Sequence, residues 1–356
     1  VNIFDRIAAG DHEQVVYCHD RATGLRAIVA IHSTALGPSL GGTRFYPYPD
    51  DDAALTDVLR LSEGMTYKAA VAGLDQGGGK AVIIGDPRTD RTDELMLAYG
   101  RFIDALAGRY ITAEDVGTTQ VDMDLLSQVT RYVTGTSESL GGSGDPSAAT
   151  AYGLVSAMKA LLFLSSGADD LKGTHVVVAG VGKVGSYLVG HLVKEGVRVT
   201  VADVNPQAVE RAQAAYDIDV VAPGDAHRIP CDIFSPCGLG AVFTPVTVPE
   251  LRCWAVAGAA NNQLASPECG QLLADAGVLY APDFVVNAGG IINIAEERSP
   301  TGYDHDRAFA NVTRIYDTVL DVFDAAKQDG LTPVEAAEAI ARRRLDAGVH
   351  QIRTFP

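Results

Sequence analysis

The sequence is poor in the residues that build metal-bound or covalently stapled scaffolds. Its five cysteines, Cys18, Cys231, Cys237, Cys253 and Cys269, are scattered and form no CxxC pair. A zinc ribbon or a dithiol redox centre is therefore excluded by spacing, and the thiols are expected to be reduced. The eight histidines are equally dispersed, with no HxxxH or HExxH arrangement, so no metal site is expected. Apolar runs stay short of the roughly 18–20 residues that span a bilayer, and residues 1–10 mix Asp5 and Arg6 into the apolar positions instead of opening on a basic leader. No membrane association is expected, and the chain should work in the cytoplasm. Positive charge is also in deficit: 28 Lys and Arg against 45 Asp and Glu leave a net charge of -17. Such a surface repels phosphate backbones, so nucleic acid is not an expected partner and any bound anion needs a local site. Internal repeats and low-complexity segments are absent.

What is present fits two folded domains. With 356 residues, 47% hydrophobic and 21% charged, the chain is long for one compact unit. Residues 14–18 and 26–31 are β-branched runs joined by a turn at Thr23-Gly24, which predicts a hairpin. From 53 to 72, Ala54, Val58, Leu61, Met65 and Ala72 recur at helical spacing, with Lys68 on the same face. A glycine cluster (Gly77, Gly78, Gly79), Lys80, a strand at 81–84, a helix at about 93–107 and a strand at 110–112 follow. Glycine, serine and proline dominate residues 141–147, which reads as a hinge and domain boundary. Beyond it a helix (148–166), strand (175–179), helix (183–195) and strand (197–203) alternate, the pattern of a parallel sheet covered by helices. Shorter strands are expected at 233–234, 255–257 and 279–280. The fold class is thus α/β in two domains with a cleft between them: an N-terminal α/β catalytic domain at 1–147 and a Rossmann domain at 148–324. The last helices, about 304–329 and 333–346, are expected to pack back on the first domain, which would regain residues from about 325 to 356.

The most specific local signal is Gly180-Val181-Gly182-Lys183-Val184-Gly185, entered from the strand Val176-Val177-Val178-Ala179 and opening a helix. A lone GxGxxG is weak. Here a second strand follows and ends in Asp203, 18 residues after Gly185. The first glycine permits a tight turn, the second lets the backbone approach a pyrophosphate, the third allows close helix packing, and the helix N-terminus favours the anion. An acid at the second strand's end accepts hydrogen bonds from the adenosine ribose and repels a 2′-phosphate, so NAD is the expected cofactor rather than NADP. The bland alternative is turn glycines and a strand-end aspartate.

Chemistry is expected from the first domain. A single lysine such as Lys68 on an apolar helical face would ordinarily snorkel to solvent. Lys80, however, follows three glycines that clear the approach to the backbone and begins a buried-looking strand. Two lysines beside one cleft would lower each other's pKa, leaving one as a base and the other to hold a carboxylate. Glu114-Asp115 ends the next strand, where α/β clefts form. Alone it would be a cap or turn; with the lysines it suggests a proton relay.

Together, Leu40-Gly41-Gly42-Thr43-Arg44, Gly64-Met65-Thr66-Tyr67-Lys68, Gly77-Gly78-Gly79-Lys80, the stretches 112–119 and 141–150, the glycine fingerprint, Ala260-Asn261-Asn262-Gln263 and Asn287-Ala288-Gly289-Gly290-Ile291-Ile292-Asn293 resemble the amino-acid dehydrogenase family of glutamate, leucine, valine and phenylalanine dehydrogenases. The resemblance covers nearly the whole chain and is nearest to phenylalanine dehydrogenases. It implies reversible oxidative deamination of an L-amino acid to a 2-oxo acid and ammonium, in a homo-oligomer built through the first domain. By the same resemblance Lys68 would bind the substrate carboxylate, Lys80 would be the base that activates water, and Asp115 would hold the amine and move protons. Gly41 would offer backbone contacts, Asn262 would assist the carboxylate or nicotinamide region, and Ser147 and Thr150 would lie near the nicotinamide.

The resemblance also implies a side-chain pocket of Leu40, Ala113, Ile291 and Ile294. Glutamate-specific relatives are expected to have a lysine and a serine where this chain has Leu40 and Ile294. A γ-carboxylate would stay unpaired here, so the substrate is expected to be apolar, with phenylalanine preferred on overall resemblance and leucine or valine as alternatives. Asp145 stands where an asparagine is expected and Gly185 where alanine is common. Two other readings compete. A non-catalytic NAD sensor would not need Lys68, Lys80 and Asp115 together, and a 2-hydroxy-acid dehydrogenase would use a histidine, which these motifs lack.

Overall fold

A computed structural model describes residues 3–349. The chain divides into two compact units, one of residues 1–145, 294–304 and 341–356, the other of residues 146–293 and 305–340.

The first unit begins with α1 (Ile3–Ala9) and the hairpin β1 (Gln14–Asp20) and β2 (Leu25–Ser33), which pair antiparallel from Gln14↔Ile31 to Asp20↔Leu25. Next come β3 (Ser39–Tyr46), α2 (Asp51–Val71), β4 (Gly77–Ile84), α3 (Asp93–Ala105), β5 (Tyr110–Glu114) and α4 (Gln120–Leu126). The strand order is β1-β2-β4-β3-β5, with β2–β4 antiparallel and β4–β3–β5 parallel. Helix α2 starts where Asp50 accepts from the Ala53 N–H, and its buried Ala54, Leu55, Val58 and Leu59 pack with Ile28, Ala30 and Val82. The opposite face buries Phe45, Ala81 and Ile83 with Met96, Tyr99 and Ile103 of α3.

Two local expectations change. The glycine cluster lies inside β4 instead of preceding it: a Cβ on Gly78 would fall 2.1 Å from the Thr66 nitrogen of α2, so glycine is what lets that helix lie on the strand. Strand β3 escaped notice because Gly41 and Gly42 erase its alternation; a Cβ at Gly41 would meet the Gly79 carbonyl oxygen at 1.8 Å.

The second unit holds α5 (Ser147–Ser166), β6 (His175–Ala179), α6 (Lys183–Lys194), β7 (Arg198–Ala202), α7 (Pro206–Ala215), β8 (Asp219–Val220), β9 (Ile233–Pro236), β10 (Ala255–Val256), α8 (Glu268–Asp275), β11 (Leu279–Tyr280) and α9 (Asp283–Val286). Then come α10 (Gly289–Ala295), which reaches the unit boundary, α11 (His305–Thr313) and α12 (Ile315–Asp329). Its sheet, β11-β10-β9-β6-β7-β8, is parallel throughout. The first strand of this unit, β6, lies centrally and the connections wind outward on both sides, which creates a topological switch between β6 and β9.

The expectation for the C-terminal helices needs correction. Residues 305–340 belong to the second unit, and only the part of α13 (Pro333–Val349) from Ala341 onward belongs to the first. The reason is packing on α5: Gly153 presents no side chain, and Ile315 and Val312 approach so closely that a Cβ there would lie 2.6 Å from Ile315 Cδ1. Helix α5 also corrects the estimate of apolar length. Ser147–Ser166 is long and apolar enough to cross a membrane by composition, but 67% of its most apolar stretch is buried in the protein, as in a core helix.

Candidate active site

In the first unit, parallel pairing sets the C-terminal end of β5 beside the middle of β3, with Gly42 opposite Ala113 and Thr43 opposite Glu114. Thr43 Oγ1 lies 2.6 Å from Thr112 Oγ1, fixing the two strands, and Tyr110 Oη donates to the Gly41 carbonyl at 2.6 Å. Asp115 follows β5, where its backbone N–H donates to Thr118 Oγ1. Its carboxylate meets Lys80 of β4, with Nζ 2.8 Å from Oδ2, and the Lys80 side chain is only 8% exposed. Arg44 Nε lies 3.3 Å from the same oxygen.

Lys80 and the Asp115 carboxylate thus form an ion pair. Burial alone would raise the Asp115 pKa; the charges of Lys80 and Arg44 outweigh it and hold the pKa down at about 2. Asp115 is therefore an anion throughout the neutral range. Lys68 sits half-buried in the last turn of α2. Leu40 and Ala113, on adjacent strands, are buried.

Sequence reasoning missed two anchoring residues. Arg344 reaches back to the end of α2, donating to the carbonyls of Ala70 at 3.0 Å, Leu74 at 2.7 Å and Gly73 at 3.0 Å. It thereby satisfies carbonyls that a helix end leaves open, just beyond Lys68. Glu297 accepts from the N–H groups of Gly135 and Ser143 at 3.0 and 2.8 Å. The glycine-rich segment after Thr136 is thus pinned at Ser143, although Gly141 and Gly144 do use positive φ.

In the second unit the glycine loop joins β6 to α6. Gly180 has φ 110°, and a Cβ on it would lie 2.6 Å from the Gly238 nitrogen beyond β9. Gly185 lies so close to the turn that its Cβ would meet the Gly180 carbonyl oxygen at 2.0 Å. At Gly182, by contrast, a Cβ would meet nothing within 4 Å. That open space faces the start of α6, where the N–H groups of Lys183 and Val184 have no carbonyl one turn earlier within the helix. Asp203, directly after β7, accepts from the Val181 N–H at 2.7 Å through Oδ2 and from the Asn205 N–H at 2.8 Å through Oδ1. Each oxygen keeps lone-pair capacity for a ribose hydroxyl. The tight turn, the open position and the oriented acid at the β6/β9 switch fit a dinucleotide.

The remaining second-unit candidates are spread along its chain. Ser147 and Thr150 occupy the first turn of α5, where Thr150 Oγ1 donates to the Pro146 carbonyl. Asn262 is exposed with φ 53°, a conformation that asparagine tolerates better than most residues, and its carbonyl accepts from Ala241. Ile291 and Ile294 are buried along α10, Ile291 in the second unit and Ile294 at the start of the returning segment of the first.

Two family models match the chain: one described as Glu/Leu/Phe/Val dehydrogenase, dimerisation domain, over residues 12–132, and one described as Glutamate/Leucine/Phenylalanine/Valine dehydrogenase, over residues 141–209 and 204–348. The chain is 48% identical over 346 residues to a leucine dehydrogenase of Geobacillus stearothermophilus, covering 97% of this chain and 94% of that protein. It is 51% identical over 340 residues to a valine dehydrogenase of Streptomyces coelicolor, covering 94% and 93% respectively. Among solved structures it is similar to an L-tryptophan dehydrogenase from Nostoc punctiforme, with a TM-score of 0.85 and 42% identity over 98% of this chain and 99% of the other.

Proposed function

Because the chain belongs to the Glu/Leu/Phe/Val dehydrogenase family, we propose that it performs NAD-dependent, reversible oxidative deamination of a branched aliphatic L-amino acid, leucine or valine, to the 2-oxo acid and ammonium. An amino-acid dehydrogenase with an apolar substrate is common ground with the sequence reading. The preference for phenylalanine gives way, because the relatives at about half identity are leucine and valine dehydrogenases by name and pocket size never singled out an aromatic ring.

The observation that carries this reading is the Lys80–Asp115 pair, with Nζ of the buried Lys80 inside β4 2.8 Å from Oδ2 of Asp115, which follows β5. Lys68 would hold the substrate carboxylate as a point charge. Asp115, an anion, would accept hydrogen bonds from the substrate amine and take part in removing its extra proton, which frees the nitrogen lone pair. When bound, the nicotinamide ring takes the hydride from Cα. Lys80, deprotonated, would take a proton from the water that attacks the resulting imine, and Asp115 would hold the ammonium so formed. For the carbinolamine to collapse, Lys80 would return that proton to nitrogen and then take the hydroxyl proton as the C–N bond breaks, so ammonia leaves and the 2-oxo acid remains. Gly41 would supply backbone contacts, and Leu40 and Ala113 an apolar surface with no charge of their own to offer a γ-carboxylate; the family resemblance adds Ile291 and Ile294 as further apolar residues. Ser147, Thr150 and Asn262 would lie toward the nicotinamide. The loop from Gly180 to Gly185, including the N–H groups of Lys183 and Val184, would hold the pyrophosphate, with Asp203 on the ribose.

The family model over residues 12–132 supports a homo-oligomer through that region, and the unbridged cysteines suit a reducing cytoplasm. The test is NADH formation with leucine, valine, phenylalanine and glutamate, and the ammonium dependence of the reverse reaction. Preference for leucine or valine is expected. Preference for phenylalanine would overturn the substrate assignment, and absence of turnover with every amino acid would overturn the activity.

A further inference from the structure

The Lys80–Asp115 pair does not stand alone. Arg44, near the end of β3, lies with Nε 3.3 Å from Asp115 Oδ2, and its Nη1 is 2.8 Å from Asp57 Oδ2 on α2. Asp57 is fixed in turn: Tyr48 Oη donates to Oδ2 at 2.6 Å and Arg60 Nη2 lies 3.2 Å from Oδ1. Five charges therefore alternate in sign from Lys80 through Asp115, Arg44 and Asp57 to Arg60. The middle three are shielded, with side-chain exposures of 21%, 23% and 17%, while the outer end lines a cavity of about 600 Å³ bounded also by Tyr46, Ala53 and Val116.

A lysine that acts as a base must pass through an uncharged state. If Lys80 were the sole partner of Asp115, its loss of a proton would leave a shielded carboxylate without a counter-ion, and that penalty would oppose the step. A guanidinium does not deprotonate in proteins, so it supplies positive charge in every protonation state of its neighbours. Arg44 is placed to do this, and Asp57 fixes its direction from behind.

We propose that Arg44, anchored by Asp57, is a positioning residue that holds Asp115 against Lys80 and serves as its permanent counter-ion while Lys80 gives up and regains a proton. This rests on the reading of Lys80 as the base. The other charged or titratable groups on the elements that carry the network are Asp51, Asp52, Glu63, Tyr67 and Lys68 of α2, Tyr46 of β3, Tyr110 and Glu114 of β5, and Tyr48 after β3.

The test compares kcat, KM for the amino acid and the rising limb of kcat/KM against pH in the wild type and in Arg44→Gln, Arg44→Lys, Asp57→Asn and Lys80→Ala. Removing one charge at this separation in a shielded site is expected to move the limb by about one pH unit. Arg44→Gln should move it upward and lower kcat at pH 8 by about 10-fold or more, with KM changed less than about threefold. Arg44→Lys should restore the limb and much of kcat. Asp57→Asn should move the limb downward, since it leaves an unbalanced cation beside the pair; its side chain borders the cavity, so the neutral amide strands no deeply buried ion.

Limbs that stay at the wild-type position in Arg44→Gln and Asp57→Asn, while Lys80→Ala is inactive, would overturn the role of Arg44 and leave the base in place. Wild-type turnover by Lys80→Ala would overturn both. If Arg44→Gln does not fold, the limb of Asp57→Asn decides: a downward shift supports the proposal and an unmoved limb refutes it.

Discussion

Replacing Asp115 by asparagine removes the carboxylate that pairs with Lys80 while preserving side-chain size. Its effect on stability can be worked from the pKa. Asp115 is lowered from 3.8 to about 2 in the folded protein, where burial works against the charge and Lys80 and Arg44 more than offset it. At about 1.4 kcal/mol per pH unit, the charged form contributes about 2 kcal/mol to folding at neutral pH. The loss of a counter-ion at Lys80 is the same interaction seen from its partner and is not added. Because the folded pKa lies below the unfolded one, this stability is fully present above about pH 5 and is lost as pH falls through about 2. About half of it is gone by pH 3. Amide hydrogen exchange in β4 and β5 reads the effect locally. At pH 7 Asp115→Asn should lower protection there by roughly 30-fold, and the gap from the wild type should narrow toward pH 3. Equal protection at pH 7, or a gap unchanged down to pH 3, would refute the assignment of a strongly held carboxylate.

Other perturbations bear on separate parts of the molecule. Lys80→Ala should lower kcat by about 10²–10⁴-fold if the lysine is a general base, read as NADH formation at saturating substrate. Asp203→Ser removes the charge facing a 2′-phosphate and should reduce the preference for NAD over NADP by roughly 10-fold in kcat/KM for the cofactor, with amino-acid KM unaffected. Gly180→Ala combines φ 110° with a Cβ 2.6 Å from the Gly238 nitrogen; a loss of about 1–3 kcal/mol in the second unit and weaker NADH binding are expected, measured by urea unfolding and fluorescence titration. Arg344→Ala removes the cap from the α2 carbonyls and should lower protection of the last turn of α2 by about 1–3 kcal/mol.

What could be read from the sequence was mostly local in origin. The β-branched runs in β1 and β2, the helical spacing in α2 and the glycine fingerprint all depend on neighbours within a few positions, so strand, helix and cofactor loop follow from backbone sterics. Gly180 illustrates the point: its φ of 110° is a property of one residue in one turn. Strand β3 was invisible because its glycines answer to Gly79 and Glu114 in other strands, and the position of α12 was misjudged because its apolar stripe says nothing about which surface will cover it.

The candidate site divides in the same way. Its residue types stood in recognisable motifs, and Lys80, Asp115 and Asp203 could be named from them. The tertiary structure alone decided their partners. Lys80 and Asp115 are 35 positions apart in the chain and Arg44 and Asp115 are 71 apart, and they meet because parallel pairing of β3 with β4 and β5 brings these stretches of chain together. Charge selects neighbours only once the sheet has brought them within reach, which is why the sequence could name the charged residues and only the fold could pair Lys80 with Asp115.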